Sequence, residues 1–478
     1  MREWQQPAHQ PAFRFARYDG SIHVESEVFM RRIRIALWGL LLGLTGLWLL
    51  ADTLWPQPFG YFPFRGVFVQ YSGVIAMGSM AACMLLALRP VWLESALGGL
   101  DKMYRLHKWL GIAALVSSVL HWWWAQGTKW MVGWGWLERP ARGAGAGAGQ
   151  QADGLAAWLG TQRGLAETLG EWAFYAALIL MVLALVKRFP YRLFIQTHKI
   201  LAITYLVLAW HTLVLTKFAY WTQPVGWVMA VLVVGGVVAA VLVLLGRVGA
   251  GRKTGGVIGG MRYFPGLQVL ATTVRLEPGW PGHQAGQFAF VHVVGSPERP
   301  HPYTMASSWD PQKRDILFVT KALGDHTSTL HEVLKPDLPV VVEGPYGRFT
   351  FNQGRGRQIW IAGGIGITPF LARMQQMQQE PGVHHEAVDL FYTTAQEDAD
   401  VLQLLNDQAA AAGVRLQVLV DRRDGYLTGE RLRQQVPDWQ TASVWFCGPT
   451  GFAEALRQDL MAHGLTADQF HQELFAMR

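Results

Sequence analysis

Six runs of about twenty apolar residues lie in the first half of the chain, each long enough to cross a bilayer as a helix. They cover Ile33–Trp55, Val67–Leu88, Tyr104–Gln126, Leu169–Val186, Leu193–Lys217 and Pro224–Leu245. Only 16% of the 478 residues are charged, against about 25% in an ordinary soluble domain. This excludes a soluble enzyme along the whole length. After Arg247 short β-rich runs and turn residues take over, so the sequence predicts a six-helix transmembrane bundle followed by a soluble half.

Basic residues cluster at one end of these runs. The clusters are Arg31, Arg32 and Arg34; Arg89, Lys102 and Arg105; Lys187, Arg188 and Arg192; and Arg247, Arg252 and Lys253. The positive-inside rule makes that end cytoplasmic. We therefore predict a multi-pass protein of a bacterial-type inner or plasma membrane with both termini in the cytoplasm. The net charge of +7 then reflects contact with membrane lipid and not with nucleic acid.

The connection over residues 127–168 falls on the opposite, outer side. It contains Trp130, Trp134 and Trp136 and then a Gly/Ala-rich stretch. We interpret the stretch as a flexible loop and the tryptophans as an interfacial anchor, a ligand surface being the weaker alternative.

Four of the 15 histidines fall inside the predicted spans, and an ionisable side chain at membrane depth indicates function. His107 and His121 lie on the third span, and His198 and His211 on the fifth, which runs in the same direction. His107 can therefore face His198 near the inner side, and His121 can face His211 near the outer side. The arrangement predicts two b-type haems, each with its iron held by two histidines.

The spacing of the two histidines on each span tests this idea. His107 and His121 are 14 residues apart, about 40° short of four full turns, so both rings share one face. His198 and His211 are 13 residues apart, about 140° from a shared face, so the helix must be overwound or the ring orientations must compensate. The alternatives are polar histidines packed between helices, or a zinc or copper site with too few ligands.

The two cysteines restrict the metal chemistry further. Cys83 and Cys447 are too few for a disulfide framework, a four-cysteine zinc site or an iron–sulfur cluster. The sequence also lacks the C-x-x-C-H pattern that attaches haem covalently.

The first part of the soluble half has flavin-binding chemistry. The alternating segment 282–293 predicts a barrel strand, and HPYTMASS (301–308) follows it. Tyr303 offers an aromatic face to an isoalloxazine ring, and the hydroxyls of Thr304, Ser307 and Ser308 suit ribityl and phosphate oxygens. Next, the GDHT stretch (324–327) opens a helix whose free N–H groups favour a pyrophosphate, with Lys321 adding positive charge.

The last part of the chain has the pattern of a nucleotide-binding domain. A buried strand over Ile359–Ala362 leads into Gly363, Gly364 and Gly366, and a helix follows with Thr368 and Pro369 in its first turn. Further strands are predicted over Ala387–Tyr392, Arg415–Val420 and Ser443–Phe446, with helical segments between them, which indicates a parallel α/β sheet. The final strand ends in CGPTGF, which places Cys447 at the edge where nucleotides bind.

With these motifs in order, the chain resembles the ferric reductase and NADPH oxidase group of transmembrane flavocytochromes. The resemblance implies a six-helix haem domain, an antiparallel β-barrel that binds FAD and an α/β domain that binds NAD(P)H. It assigns FAD to His301, Pro302, Tyr303 and Thr304, and the FAD pyrophosphate to Gly324, Asp325, His326 and Thr327. It assigns the nicotinamide nucleotide to residues 363–369 and to Cys447, Gly448 and Pro449. Phe475 would cover the flavin, although three residues follow it here.

Two departures from the family pattern concern the substrates. In VDRRDGY (420–426), Arg422 fits the 2′-phosphate of NADPH and Tyr426 can stack on adenine, whereas Asp421 replaces a serine and suits NADH. We expect NADPH, with NADH left open. Arg65 is the one obvious basic candidate near the outer haem, and it can equally be a snorkelling anchor.

We predict a cytoplasmic segment at 1–32, the haem domain at 33–246, a linker at 247–262, the FAD barrel at 263–353 and the NAD(P)H domain at 354–478. Electrons would pass from NAD(P)H through FAD and two haems to an outer acceptor, either dioxygen or a ferric chelate. One alternative is a conduit to a quinone or a periplasmic redox protein. A further alternative is a haem-free transporter with a nucleotide-sensing domain.

Overall fold

The computed structural model describes residues 27–138, 154–186, 188–352, 356–380 and 386–472, and its first half is a helical bundle. The helices are α1 (Glu27–Ala51), α2 (Tyr61–Ala87), α3 (Val91–Leu97), α4 (Leu100–Trp122), α5 (Thr128–Gly133), α6 (Leu155–Thr161), α7 (Arg163–Leu185), α8 (Tyr191–Leu215) and α9 (Pro224–Leu244). Each of the six predicted spans is helical over most of its length.

Five helices in the described ranges are long and apolar enough to cross a membrane, namely α1, α2, α7, α8 and α9. The helix at the third predicted span, α4, has 23 residues but is not one of the five. Its first turns carry Asp101, Lys102, Arg105 and Lys108, which dilute its apolar character. Hydrophobic length alone therefore supports a membrane domain with five spans, and the sixth depends on how α4 packs.

Packing in the bundle places the two histidine-bearing helices. The α4 helix packs along α2, and α8 packs between α7 and α9. A core that includes Leu44, Trp48, Met77 and Tyr205 joins α1, α2, α8 and α9. The indole of Trp48 donates a hydrogen bond of 3.2 Å to the hydroxyl of Tyr220, so the one polar atom of this large buried side chain is satisfied.

The second half begins with a six-stranded antiparallel sheet in the order β4-β3-β6-β1-β2-β5. Its strands are β1 (Lys253–Phe264), β2 (Val269–Leu276), β3 (Phe288–Val293), β4 (His301–Thr304), β5 (Asp315–Lys321) and β6 (Pro339–Tyr346), and α10 (Asp325–Val333) lies between β5 and β6. A single bridge between Met305 and Phe318 links the end of β4 to β5.

Two boundaries in this sheet differ from the prediction. Most of β1 lies inside the segment that we predicted as a linker, because four glycines among its first eight residues obscure the strand pattern. The segment 282–293 is a strand only from Phe288 onward, with Gly282 and Gly286 at positive φ in the loop before it. The linker is therefore shorter than expected, and the strand begins later.

The final sheet has five parallel strands in the order β11-β10-β7-β8-β9. They are β7 (Gln358–Gly363), β8 (Val388–Thr394), β9 (Arg415–Val420), β10 (Ser443–Cys447) and β11 (Phe470–Gln472), with α11 (Thr368–Gln379), α12 (Ala399–Ala411), α13 (Asp421–Asp424), α14 (Gly429–Gln435) and α15 (Thr450–Ala462). The four predicted strands and their parallel arrangement are confirmed. Because β7 and β10 are neighbours, the two glycine-containing turns that follow them lie side by side.

Candidate functional site

The inner histidine pair lies between α4 and α8. The ring centroids of His107 and His198 are 5.9 Å apart. Nδ1 of His107 lies 3.1 Å from the carbonyl oxygen of Cys83 on α2, and because that oxygen only accepts, Nδ1 donates. His198 packs face to face on Phe194, with 5.0 Å between the ring centroids. The Nε2 lone pair of His107 is therefore free to bind a metal.

The outer pair repeats this geometry. The ring centroids of His121 and His211 are 6.2 Å apart. Nδ1 of His121 donates to the carbonyl oxygen of Val69 at 2.9 Å, and Nδ1 of His211 donates to that of Ala166 at 2.9 Å. Histidines that bind metals usually donate their second ring nitrogen in this way, because the bond fixes the tautomer and the ring orientation.

The separation of each pair fits one metal ion between the two rings. A metal–imidazole bond of about 2 Å, plus roughly 1 Å from the nitrogen to the ring centre, gives about 6 Å across both rings. The described helix α8 is a regular α-helix from Tyr191 to Leu215, so it is not overwound. The orientations of its two rings compensate for the 13-residue spacing, and the pairing predicted from the sequence is the one the structure contains.

Two glycines make room for the outer histidines, and sequence reasoning missed both. A Cβ atom added at Gly170 would overlap Nδ1 of His211, and one at Gly73 would lie 3.3 Å from Cε1 of His121. Each glycine follows by four residues the carbonyl that accepts the bond from that histidine. The available signal was a glycine inside an apolar helix, where it costs stability unless something packs against it.

Arg65 supports the turn that follows His121. The chain forms a π-helix over Trp123–Gly127. Arg65 donates from Nε to the carbonyl of Trp124 at 3.1 Å and from Nη2 to that of Ala125 at 3.0 Å. Such wide turns leave backbone carbonyls without their usual partners. Arg65 therefore ties α2 to the segment that follows His121.

The predicted flavin strand gathers a polar cluster. The rings of His301 and His326 stack with 3.9 Å between their centroids. The hydroxyl of Tyr303 lies 3.0 Å from Nε2 of His326. Nε2 of His301 is buried, has no hydrogen-bond partner and lies 3.8 Å from Oε2 of Glu298. Burial lowers the pKa of both imidazoles, and for His301 the neighbouring His326 lowers it further.

This cluster contains a residue that the sequence motifs did not single out. Glu298, His301 and His326 each offer a ligand atom, and the three atoms lie within 4.8 Å of one another. The group could hold a cation, or it could line the pocket for a polar cofactor. Because His301 lies on the strand that carries Tyr303, the cofactor is favoured, with the unpartnered His301 nitrogen as a donor for an anionic group.

The other residues predicted to bind flavin differ in whether their side chains already form hydrogen bonds within the protein. The hydroxyl of Ser307 accepts from the backbone N–H of Leu317 at 3.0 Å. The hydroxyl of Thr327 accepts from the N–H groups of Leu323 at 3.0 Å and Gly324 at 3.2 Å, so it stabilises the start of α10. The predicted helix opening at GDHT is confirmed. Pro302 and Thr304 lie in β4, paired with Phe290 and Phe288, Lys321 ends β5, and the side chain of Asp325 lies outside the described residues.

The two turns at the carboxyl edge of the parallel sheet are in direct contact. A Cβ atom at Gly366 would overlap the carbonyl oxygen of Cys447, and one at Gly363 would lie 2.7 Å from Cδ of Pro449. Only glycine permits this approach. The structure therefore brings together Gly363, Gly364, Gly366, Thr368 and Pro369 with Cys447, Gly448 and Pro449, as predicted.

The residues predicted to choose between the nucleotides lie at the end of β9. Arg423 pairs with Glu397 at 2.7 Å and with Asp424 at 3.1 Å, whereas Arg422 is exposed. Tyr426 is 65% exposed, so its ring face is accessible. Burial raises the pKa of Asp421. Phe475 lies outside the described residues.

Two ion pairs cross between the bundle and the antiparallel sheet. Arg89 donates from Nη1 to Oε1 of Glu343 at 2.7 Å. Arg252 donates from Nη1 to Oε2 of Glu94 at 3.3 Å, and the backbone N–H of Gly347 donates to Oε1 of Glu94 at 2.9 Å. Both carboxylates are buried. We call the region around these pairs the junction.

An apolar core also crosses the junction. Phe288, Phe290 and Tyr346 of the sheet pack in one cluster with bundle residues that include Met103 and Leu106. Phe288 is paired in register with Thr304, the last residue of β4. The sheet thus docks the edge that is predicted to bind flavin close to the end of α4 that carries His107.

Two family models match separate parts of the chain. One is described as "Ferric reductase like transmembrane component" and matches residues 72–209. This range contains His107, His121 and His198 and ends just before His211. The other is described as "Oxidoreductase NAD-binding domain" and matches residues 360–458, which include both glycine-containing turns and Arg422.

Several proteins are similar to part of this chain. An NADPH oxidoreductase of Mycobacterium tuberculosis is 28% identical, aligned over 43% of this chain and 57% of that protein. The glycine betaine monooxygenase reductase subunit of Chromohalobacter salexigens is 27% identical, over 36% of this chain and 50% of its own. The chain thus spans about half the length of these relatives. A ferredoxin reductase of carbazole 1,9a-dioxygenase aligns at a TM-score of 0.40 with 20% identity, over 47% of this chain and 69% of its own.

Proposed function

We propose that this chain, a membrane oxidoreductase with the architecture of the ferric reductase and NADPH oxidase group, carries electrons from a cytoplasmic nicotinamide nucleotide to an acceptor on the outer side. The proposal depends on two places where a histidine of α4 faces a histidine of α8. The reductase half packs against the bundle next to the inner of these two places. The acceptor is a ferric chelate or dioxygen.

The histidines would hold two b-type haems, the inner between His107 and His198 and the outer between His121 and His211. Their ring separations, and the three Nδ1 bonds that leave Nε2 free, support this assignment. Haem supplies a one-electron carrier at each site. Two sites are needed because about 30 Å of hydrocarbon is too wide for one transfer.

The reductase half would bind FAD along β4 and at the start of α10, and NAD(P)H at the touching turns after β7 and β10. FAD supplies the conversion of a two-electron hydride donor into single electrons. Tyr303 would present its ring, and His301 and His326 would donate to the pyrophosphate. The glycine turns would let the nucleotide approach the backbone closely, near Cys447.

Spectroscopy of the purified protein tests the proposal. With FAD and NADPH under anaerobic conditions, we expect reduced-minus-oxidised spectra of a haem with two histidine ligands. We then expect reoxidation when a ferric chelate or dioxygen is supplied separately. A well-folded preparation reconstituted with haem that shows no Soret band would refute the haem assignment. Superoxide formation with no added protein would favour the enzyme over the conduit to a partner.

Gly170→Ala is expected to displace the ring of His211, because the added methyl group would overlap Nδ1. The outer site should lose haem, or shift in reduction potential, while the inner site is retained. The haem-to-protein ratio and a redox titration measure this. Gly164→Ala lies on the same helix, where a Cβ atom meets nothing within 4 Å, and should leave both sites unchanged. Identical titrations for both variants would contradict the role of Gly170.

FAD affinity is expected to rise as the pH falls from about 8 to 6. Since burial lowers the pKa of His301 and His326, both are neutral at pH 7, and an anionic pyrophosphate would raise both pKa values. Binding then takes up protons, and each proton taken up tightens binding by up to about ten-fold per pH unit. Fluorescence titration measures the Kd. The slope should flatten in His326→Gln and persist in the surface variant His463→Gln; an equal slope in both would count against the assignment.

Arg422→Gln is expected to raise the KM for NADPH by about 10- to 100-fold, because it removes a charge-assisted bond to the 2′-phosphate. The KM for NADH should not change. Arg423→Gln is the matched control, since Arg423 is already paired with Asp424 and Glu397. Equal effects of Arg422→Gln on both nucleotides would show that the residue does not read the phosphate.

A further inference from the structure

A cavity of about 380 Å³ lies at the junction, between α3, the segment around Arg252 and the turn over residues 344–348. This is room for about a dozen water molecules. The route proposed for electrons makes no use of it. Its walls come from both halves of the chain, so whatever fills it contacts the bundle and the antiparallel sheet together.

The cavity is basic. Arg252, Lys253 and Arg348 line it, with Glu94 as the acidic group among the lining residues. Both oxygens of Glu94 are already engaged, one by Arg252 and the other by the backbone N–H of Gly347. Burial raises the pKa of Glu94, and these two donors oppose that rise. Arg348 is exposed and available to an anion, and Lys253, which forms a long ion pair of 3.9 Å with Glu343, keeps N–H donors of its ammonium group for a second contact.

The rim of the cavity is apolar on the side of α3. Val91 lines the cavity and is 54% exposed, and the adjacent Trp92 is 72% exposed. Tryptophan in such a position is typical of the level of lipid headgroups. The short helix α3 connects α2 to α4 at the end of the bundle where the reductase half docks. Basic groups beside exposed apolar ones suit a ligand with an anionic head and a hydrocarbon tail.

We propose that this cavity binds the phosphate headgroup of an anionic phospholipid from the adjacent leaflet. Lys253 and Arg348 contact the phosphate, and the acyl chains lie against Val91 and Trp92. The lipid then bridges α3 and the turn over 344–348, and so stabilises docking of the reductase half. The binding stands on the cavity itself, and only its effect on turnover rests on the proposed function.

The test uses full-length protein in nanodiscs of phosphatidylcholine, with or without phosphatidylglycerol. Native mass spectrometry counts the retained lipids. We expect wild type to retain phosphatidylglycerol selectively and Lys253→Gln/Arg348→Gln to retain it about 30-fold less, since each basic residue near a membrane contributes roughly five-fold. Arg275→Gln/Lys313→Gln, an equal charge change at exposed positions of the same sheet domain, should behave as wild type.

Equal retention by wild type and the double variant would overturn the proposal. Displacement of phosphatidylglycerol by millimolar inorganic phosphate would assign the cavity to a soluble phosphate and would also overturn it. Lipid counting needs neither haem nor flavin, so a failure of the proposed electron route leaves this result unaffected. If both hold, NADPH-driven haem reduction should be faster in the anionic nanodiscs for wild type and not for the double variant.

Discussion

His107→Leu protein is expected to lose the inner haem and, with it, all reduction of the outer acceptor by NADPH. Leucine supplies no lone pair to iron, and the remaining His198 offers a single ligand. His121→Leu should instead remove the outer haem, leaving an inner haem that NADPH still reduces. The pyridine haemochrome assay measures the haem-to-protein ratio, and stopped-flow absorbance measures the reduction.

The two variants together distinguish the proposed pairing from other arrangements. His198→Leu should reproduce the spectrum of His107→Leu, and His211→Leu that of His121→Leu, because each pair shares one iron. His463→Leu, a substitution at an exposed surface histidine, controls for nonspecific effects. Full haem content in His121→Leu would contradict the pairing, as would a spectrum common to His107→Leu and His211→Leu alone.

Glu343→Gln is expected to slow electron transfer from flavin to the inner haem by about ten-fold while leaving NADPH oxidation by a dye that reacts with flavin within two-fold. The change keeps the shape of the side chain but leaves Arg89 facing an uncharged partner in a buried setting, where breaking a pair costs about 3–5 kcal/mol. Docking of the sheet on the bundle then weakens, whereas the flavin and nucleotide sites are untouched.

Rapid mixing under anaerobic conditions separates these two rates. Glu454→Gln serves as the matched control, because Glu454 also pairs with an arginine, Arg457, but lies on α15. Arg89→Gln should give the same split as Glu343→Gln, since either change breaks the same bond. A dye-reduction rate that falls in parallel with haem reduction would indicate general unfolding and would remove the junction from the electron route.

Local patterns in the sequence predicted the elements of this fold well. Each of the six long apolar runs is helical over most of its length, and β9 begins and ends at the predicted residues. The prediction that His107 lies beside His198 and His121 beside His211 needed only two parallel helices, which leave one arrangement of their ends. Each of these features depends on residues close together in the chain or on a single simple symmetry.

The features that sequence reasoning missed depend on distant contacts. Arg89 and Glu343 are 254 positions apart in the sequence. An arginine or a glutamate in a sequence does not indicate which residue it will pair with. The room that Gly170 leaves for His211 depends on how α7 and α8 pack. The strand β1 was hidden because its glycines resemble a linker until a neighbouring strand pairs with them.

The aromatic side chains that the antiparallel sheet presents to the bundle have a consequence for any attempt to divide the chain. Phe288, Phe290 and Tyr346 are almost fully buried, and bundle residues supply part of that cover. A fragment beginning near Lys253 would expose these rings to water as a hydrophobic patch. Such a fragment should self-associate unless detergent is present, so the catalytic half of this protein is not a detachable soluble module.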